Sequence, residues 1–411
     1  MIKLSIAILL YNTKKEYFHK CLNSIYNSTL KDFEVVVIDD GSDIDYSDLI
    51  EKYKPKYVKT ENRGIMPARM YALSLVSGEY VAFVDSDDYV SINYHMPMIE
   101  KAIKENADIV INDWAFDGER YKHFCQSDAT ISNDFSLEGE EILREFFSKD
   151  GTQHSYYVLW NKVYKRELIL QAKACVEALP CSKTPLCYSE DSLLNFFAWK
   201  NAKKLVNVHT GYYFYRIQPS QSTSVSSEAK LRNQISNMSY VLNSMEENIG
   251  EGKYADEIKA HLQSWRALMS RSHYSYAKQN KYTALYDFIK ESYKVEALKP
   301  YTYNDGKYYN SSSLLGSNFD EIDLQLKKLF YLDGAISVSY DKDDKYVERT
   351  IEYLKAVKNK DITVSKNAEI EIPKRDISFK HKIINNKIVY AIGMKLFKKG
   401  SKIRALLKRK L

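Results

Sequence analysis

Residues 79–88 read Glu79-Tyr80-Val81-Ala82-Phe83-Val84-Asp85-Ser86-Asp87-Asp88, and this stretch is the most informative part of the sequence. Its apolar part predicts a buried strand over 80–84, followed at once by three carboxylates. Since side chains alternate along a strand, we expect Asp85 and Asp87 to leave the strand end on the same side. Two carboxylates so close together favour a hard cation such as Mg²⁺ or Mn²⁺, which leaves coordination positions open for phosphate. The stretch therefore predicts a site for a metal-bound nucleotide diphosphate.

Strand and helix patterns alternate on both sides of this stretch. Apolar or β-branched runs predict strands over 4–10, 34–38, 57–60 and 108–112, while helical spacing covers 18–26 and 67–76. A βαβ rhythm of this kind predicts an α/β fold, Rossmann-like, with a mostly parallel sheet covered by helices on both faces.

Polar clusters end three of these predicted strands. They are Tyr11-Asn12, Asp39-Asp40 and the carboxylates of 85–88. Ligands bind beyond the carboxyl ends of the strands in such sheets. We therefore expect the three clusters to meet in one nucleotide crevice.

The chain beyond residue 120 predicts a second group of elements. A helix is predicted over 136–147 with Ser136 as its N-cap, then a strand or turn over 156–164. Asp191 opens another helix, 206–215 is strand-like, and 228–298 is helical in pattern. We divide the chain into four parts. Residues 1–220 are expected to form an α/β domain that binds the nucleotide, and residues 221–300 a helical region that serves as an acceptor platform or dimer interface. Residues 301–372 are a small mixed α/β segment, and residues 373–411 are a basic amphipathic tail.

Charge is distributed unevenly along the 411 residues. The formal net charge is +6, but residues 374–411 hold 13 Lys/Arg and one acid, so the tail carries +12 and the remaining chain −6. Apolar stripes accompany the basic residues over 388–411, a pattern typical of a helix on an anionic membrane surface. The alternatives are a solvated basic terminus or a helix docked on the body. Nucleic-acid binding is disfavoured, because base-stacking aromatics are not interleaved with the charge.

Other compositional features narrow the class of protein. Five cysteines without a CxxC pair indicate reduced thiols rather than a zinc site. The N-terminus lacks a charged leader pattern, and no stretch reaches the 18 or so apolar residues of a membrane span. Residues 9–16 contain no glycine, which counts against a sugar-nucleotide pyrophosphorylase.

The pattern resembles the inverting GT-A glycosyltransferases of family 2, over about residues 1–220. The resemblance rests on five ordered pieces rather than on one: Tyr11-Asn12, Val37-Ile38-Asp39-Asp40-Gly41-Ser42, Asn62-Arg63-Gly64 leading to Ala68-Arg69, Gly78 through Asp88, and Ser189-Glu190-Asp191. One departure is Met70, where the family usually has Asn after the arginine.

The resemblance implies a role for each matching residue. Asp191 would be the catalytic base that takes the proton of the acceptor hydroxyl, and Asp87 the direct ligand of Mg²⁺ or Mn²⁺. At a helix N-terminus, we expect Asp191 to have a low pKa; its alternative is an N-cap. The residues implied in binding a UDP-sugar are Tyr11, Asn12, Asp39, Asp40, Asn62, Arg69, Asp85, Ser86, Glu190 and Arg216.

Several neighbours of these residues have open roles. Of Asp39 and Asp40, we expect one to cap the following turn and the other to bind the nucleoside. Asp88 is expected to cap a turn, and Arg69 has the alternative of an exposed surface arginine. Trp160 and Lys162 are candidate walls of the acceptor site, Trp160 equally a core residue. His209 is expected to be structural.

The implied activity is transfer of a sugar from a UDP-sugar to a surface glycan such as capsule, teichoic acid or a lipid-linked oligosaccharide. Such an enzyme would be cytoplasmic and peripheral on the inner face of the membrane, where the tail would hold it. A homo-oligomer is a further possibility that the sequence does not decide. The alternative from another class is a non-catalytic nucleotide- or glycan-binding protein on the same fold.

Overall fold

The structure is a computed structural model of the chain. It describes residues 2–117, 135–148, 154–180, 185–216, 225 and 227–299. The predicted segment 301–372 and the basic tail 373–411 lie outside these residues. No helix among the described residues is long and apolar enough to cross a membrane.

Eight strands form the main sheet. They are β1 Leu4–Leu10, β2 Phe33–Asp39, β3 Lys56–Lys59, β4 Tyr80–Phe83, β6 Ile109–Ile111, β8 Ser136–Glu138, β9 Lys162–Lys165 and β10 Lys204–Asn207. Their order is β3-β2-β1-β4-β9-β6-β10-β8. The pairs β2–β3, β1–β2, β1–β4 and β6–β10 are parallel, whereas β9 and β8 run antiparallel to their neighbours. The sheet is therefore mostly parallel, as predicted.

Alternating side chains of the sheet supply two separate cores. On β2, Val35 and Val37 face one core and Val36 and Ile38 the other, which is the period-two alternation of a buried strand. Both faces are covered by helices, which confirms the predicted α/β class.

The helices fall into two groups along the chain. The sheet is covered by α1 Lys15–Tyr26, α2 Ser47–Tyr53, α3 Ile65–Leu75, α4 His95–Glu105, α5 Glu140–Phe147, α6 His154–Tyr157, α7 Arg166–Glu177 and α8 Glu190–Asn201. The helical region that follows consists of α9 Glu228–Glu247, α10 Ala255–Gln279 and α11 Tyr286–Tyr293, with a 3-10 turn at Thr283–Leu285.

A small second sheet lies beside the end of β4. Its strands are β5 Tyr89–Val90, β7 Trp114–Asp117 and β11 Tyr213–Arg216, in the order β5-β11-β7. The prediction of one strand-like run over 206–215 is therefore wrong, because a turn at Gly211 (φ +75°) separates β10 in the main sheet from β11 in the small one.

The predicted helix over 136–147 is also corrected. Ser136 is not an N-cap but the first residue of β8, which pairs with β10; the helix α5 begins only at Glu140. Gly139, at φ +59°, ends the strand between them. Pairing with a neighbouring strand outweighed the local capping pattern.

Candidate active site

Three neighbouring parallel strands end at the same edge of the sheet. Because β2, β1 and β4 are adjacent and parallel, the residues that follow them emerge side by side. Direct contacts join these segments: the Thr13 and Ser86 hydroxyls lie 2.7 Å apart, and the Asn12 backbone N–H donates to Ser42 Oγ at 2.9 Å. The structure thus brings the three predicted polar clusters together.

Asp39 and Asp40 hold the loops at one end of this polar edge of the sheet. Fully buried Asp39 accepts hydrogen bonds from the Ser42 N–H at 2.8 Å and from the Tyr57 hydroxyl at 2.6 Å. Asp40 accepts the backbone N–H groups of Arg63 at 2.8 Å and Gly64 at 2.9 Å. Asp39 is therefore the turn cap, and a carboxylate oxygen with one such bond keeps a further lone pair for a ligand.

The backbone of this end is tightly packed. Gly41 has φ +82°, and a Cβ atom there would lie 2.7 Å from the Asn62 backbone nitrogen. Only glycine tolerates both the torsion and the approach. Asn62 itself is exposed, and Tyr11, which follows β1, is 54% exposed.

The acidic turn after β4 is not an extension of the strand. β4 ends at Phe83, and the Asp88 N–H donates to the Asp85 carbonyl at 3.0 Å, closing a turn over 85–88. The strand alternation that we used to place Asp85 and Asp87 on one side therefore does not apply. They are nevertheless neighbours, since the charge of Asp87 raises the pKa of Asp85.

Asp88 ties this turn to the second sheet. It is buried, and its carboxylate accepts the Tyr213 hydroxyl at 2.6 Å and the Arg216 backbone N–H at 2.7 Å. The Tyr213 oxygen in turn accepts the Asp85 N–H at 3.0 Å. The expectation that Asp88 caps a following turn is wrong, because its side chain reaches β11 instead.

Arg216 is held against the same turn. Its Nε donates to the Asp87 carbonyl at 2.8 Å, and its guanidinium carbon lies 4.2 Å from the ring centroid of Tyr17 and 5.5 Å from that of Tyr89. Such cation–π contacts orient a guanidinium without neutralising it. Tyr17, Tyr89 and Tyr213 were missed from the sequence, because the contacts that bring them to the site join residues far apart in the chain.

Arg69 lies at the centre of the carboxylates. It is 4% exposed, and its Nη2 donates to Glu190 Oε1 at 2.9 Å, with Glu190 also buried. Its positive charge lowers the pKa of both Asp85 and Asp191, so it lies near both. The alternative of an exposed surface arginine is excluded.

Asp191 is partly exposed at the start of α8, where its Oδ1 accepts the Ser192 N–H at 2.8 Å. Burial, followed by repulsion from Glu190, raises its pKa to about 7, against the opposing effect of Arg69. The expectation of a low pKa is wrong, because desolvation and a neighbouring carboxylate outweigh the helix dipole. Burial likewise raises the pKa of Asp85 to about 7.

Three other candidates are structural. Lys162 is 1% exposed and donates to the carbonyls of Ser155 and Val158, so the interpretation of Lys162 as an acceptor-site wall is wrong. Trp160 is buried, stacked on Tyr213 with centroids 4.4 Å apart. His209 pairs with the Asp113 carboxylate at 3.0 Å, as expected of a structural histidine.

The donor set of the acidic turn fits a divalent cation that phosphate helps to hold. Among the described residues there is no group of three or more His, Cys, Asp or Glu side chains able to form a cation cage. Mg²⁺ at substrate phosphates needs only one or two protein carboxylates. Asp85 and Asp87, two neighbouring carboxylates that repel one another, match that requirement.

Part of the chain matches a known family of proteins. Residues 5–169 match the model of the family described as "Glycosyl transferase family 2". The chain is similar to glycosyltransferase GlyA of Streptococcus pneumoniae (26% identity over 242 residues, 55% of this chain and 32% of that protein). It is also similar to a putative glycosyltransferase, EpsH, of Bacillus subtilis (29% over 221 residues, 52% and 60%). A third relative is the poly(ribitol-phosphate) beta-glucosyltransferase of Bacillus spizizenii (26% over 230 residues, 52% and 32%).

Solved structures include a crystal structure of residues 1–349 of Staphylococcus aureus TarS in complex with UDP-GlcNAc (TM-score 0.49, 21% identity, 71% of this chain and 91% of that one). The matched part of this chain spans a third to two thirds of the sequence relatives' own length. Residues 5–169 thus match glycosyl transferase family 2, and the mostly parallel sheet with helices on both faces is the α/β fold that the sequence predicts.

Proposed function

We propose that the protein is an inverting, metal-dependent glycosyltransferase that moves a sugar from a UDP-sugar to a hydroxyl of a growing surface polysaccharide. One observation carries the proposal: the acidic turn after β4 and the pair Glu190-Asp191 lie around one buried cation, Arg69, at the carboxyl edge of the sheet. The family match and the names of the relatives, among them a poly(ribitol-phosphate) beta-glucosyltransferase, support the reaction class and the polysaccharide acceptor.

The two ends of the crevice suit the two ends of a UDP-sugar. At the nucleoside end, Asp39 or Asp40 can accept from the imide N–H or ribose hydroxyls with a lone pair left over, and Tyr11, Asn12 and Asn62 border them. At the diphosphate end, Ser86 and the oriented Arg216 supply donors to phosphate oxygens.

The cation belongs to the diphosphate end. Asp87, with Asp85 beside it, would hold Mg²⁺ or Mn²⁺ together with phosphate oxygens. A metal ion held by these carboxylates would supply positive charge to offset the negative charge of the UDP leaving group.

Asp191 carries the proton transfer. The acceptor oxygen forms its bond to the anomeric carbon as the bond from that carbon to the diphosphate oxygen breaks, and the acceptor's proton passes to the Asp191 carboxylate. A single displacement inverts the anomeric configuration. A carboxylate with a pKa of about 7 is a stronger base than an ordinary aspartate and is still substantially ionised at neutral pH.

Arg69 acts on this reaction through its neighbours. Because its guanidinium is buried against Glu190, we assign it to holding Glu190 in place and to offsetting the repulsion among Glu190, Asp85 and Asp191. Glu190 then has its second oxygen for a sugar hydroxyl.

The basic tail suggests where the enzyme works and which acceptor it uses. Residues 373–411 would hold the enzyme on the anionic inner face of the cell membrane, where a lipid-linked acceptor is available. Co-sedimentation with vesicles containing anionic lipid, compared with neutral vesicles, tests this part; equal partition between the two would contradict it.

The activity is tested by UDP release from a panel of UDP-sugars with Mg²⁺, Mn²⁺ or EDTA. One sugar should be turned over only with a metal, and Asp87→Ala should lower the rate by about 100-fold or more. Asp48→Ala is the matched control, because it removes the same charge at a 61% exposed side chain paired with Lys15. Failure of every UDP-sugar to bind or react with either metal would overturn the proposal.

A further inference from the structure

The segment before Glu190 and Asp191 rests on the helical region. Asn237 on α9 is fully buried, and its Oδ1 accepts the backbone N–H of Cys187 at 2.9 Å and that of Tyr188 at 3.1 Å. The Cys187 thiol lies 3.5 Å from the same oxygen. One side-chain oxygen from α9 therefore fixes two consecutive amides of the segment.

Further contacts from α9 and α10 act on the same part of the chain. The Tyr240 hydroxyl, also on α9, donates to the Pro180 carbonyl at 2.6 Å. The ring of Tyr188 lies 6.4 Å, centroid to centroid, from that of His273 on α10. The helical region thus holds the chain both at residue 180 and at residues 187–188.

The residue between this anchor and the carboxylates has a strained backbone. Ser189 has φ +63°, in the left-handed region that a non-glycine residue adopts at a free-energy cost. A strained torsion persists only where its surroundings enforce it. Here the enforcing contacts are Asn237 on the side of residues 187–188 and Arg69, which binds Glu190, on the other.

We propose that Asn237 is a positioning residue for Glu190 and Asp191, so that α9 forms part of the reaction centre without touching substrate. The inference rests on the proposed function, in which Asp191 is the base. Only Ser189 separates Tyr188 from Glu190. Loss of the hydrogen bonds to the Cys187 and Tyr188 amides would therefore loosen the turn that orients the Glu190 and Asp191 carboxylates. Small displacements of a catalytic group lower the rate steeply while leaving distant binding contacts intact.

The test compares two variants of the same helix in the full chain. Asn237→Ala removes the side-chain oxygen that accepts the hydrogen bonds from the Cys187 and Tyr188 N–H groups. The control Ser239→Ala removes a hydrogen bond of the same helix, from Ser239 Oγ to the Ser292 carbonyl at 2.6 Å, which does not involve residues 185–191. With the UDP-sugar that the wild type turns over, Asn237→Ala should lower kcat by about 10- to 100-fold and leave the Kd for UDP within about threefold. Ser239→Ala should stay within about twofold of wild type in both.

A conservative variant separates positioning from general destabilisation. Asn237→Asp keeps an oxygen in place for the two amides and should recover most of the lost kcat. Equal kcat losses in Asn237→Ala and Ser239→Ala, or a parallel loss of UDP affinity, would overturn the inference. So would an Asn237→Asp variant that binds UDP normally and is as slow as Asn237→Ala.

Amide hydrogen exchange gives a readout that needs no turnover. The peptide covering residues 186–191 should exchange faster in Asn237→Ala than in Ser239→Ala or wild type. If the wild type turns over no UDP-sugar, the proposed function fails. The exchange measurement still shows whether Asn237 holds the amides of residues 187 and 188. If Asn237→Ala does not fold, the wild-type peptide must still be protected at residues 187 and 188, and rapid exchange there would overturn the inference.

Discussion

Asp191 shows how one residue's environment decides its chemistry. Its place at a helix start favours the ionised form, yet burial and Glu190 raise its pKa to about 7. Arg69 limits the rise. These opposing effects on the pKa leave Asp191 ionised in about half of the molecules near neutral pH.

The rate should therefore depend on pH around neutrality. Because only ionised Asp191 accepts the proton, kcat at saturating UDP-sugar should rise with pH through about 7 and level off above it. The measurement is a pH–rate profile between pH 5 and 9 at fixed metal concentration. A flat profile across that range would contradict the role of Asp191.

The same pKa predicts a pH-dependent change in stability. The folded-state pKa of about 7 lies above the ordinary value of 3.8 for an aspartate, so the folded state favours protonated Asp191. That stabilisation is complete below about pH 4 and is lost as pH rises through 7. Asp191→Asn removes the cost of the buried charge, so in EDTA its Tm should exceed that of wild type by several degrees at pH 8 and by little at pH 5. A lower Tm of the variant at pH 8 would contradict the assignment.

Between elements, Arg69 and Glu190 connect α3 to α8 across the site. Both side chains are less than one tenth exposed, and the charges of Asp85 and Asp191 also act on the Arg69 guanidinium and raise its pKa. Removing one partner of a buried pair leaves an uncompensated charge.

Arg69→Met should accordingly lower the free energy of unfolding by about 3–5 kcal/mol. Lys173→Met is the matched control, because the Lys173–Glu177 pair on α7 is an i,i+4 pair with Glu177 half-exposed, and such pairs contribute about 0.5 kcal/mol or less. Urea unfolding of both variants gives the comparison. Equal losses in the two would show that Arg69 has no special electrostatic position.

Elements with a strong local pattern could be predicted, and those set by distant pairing could not. The strand β1 lies at its predicted bounds, Leu4–Leu10, because its apolar run is continuous. The strand β8 was predicted as helix, since its three residues become a strand only by pairing with β10. Likewise, Asp88 finds its partners on β11, more than 100 residues away, so its sequence neighbours could not indicate its role.

At the scale of the molecule, the helical region shares a core with the sheet. Residues of α9, α10 and α11 belong to the same hydrophobic cluster as Val36, Phe83 and Ile109 of the sheet. The helical pattern of 228–298 was visible in the sequence, but the face that each helix buries depends on α5 and α8. Trp265 of α10 illustrates this, lying 4.2 Å from the Tyr157 ring, centroid to centroid.

Loss of this contact should therefore lower the stability of the sheet and the helical region together. Trp265→Ala should cost about 3–5 kcal/mol of unfolding free energy, whereas Tyr71→Ala, at a 41% exposed ring, should cost about 0.5 kcal/mol or less. The urea midpoints of far-UV circular dichroism and of UDP binding should fall together in Trp265→Ala. Retained UDP binding after the helical signal is lost would contradict a shared core.

If Asp191 is the base of sugar transfer, its replacement should slow catalysis without weakening nucleotide binding. The experiment measures kcat and the Kd for UDP side by side in wild type and Asp191→Asn, with the UDP-sugar and metal that the wild type uses. We expect a kcat lower by about 100-fold or more and a Kd for UDP within about threefold of wild type. A variant that turns over at close to the wild-type rate would contradict that role.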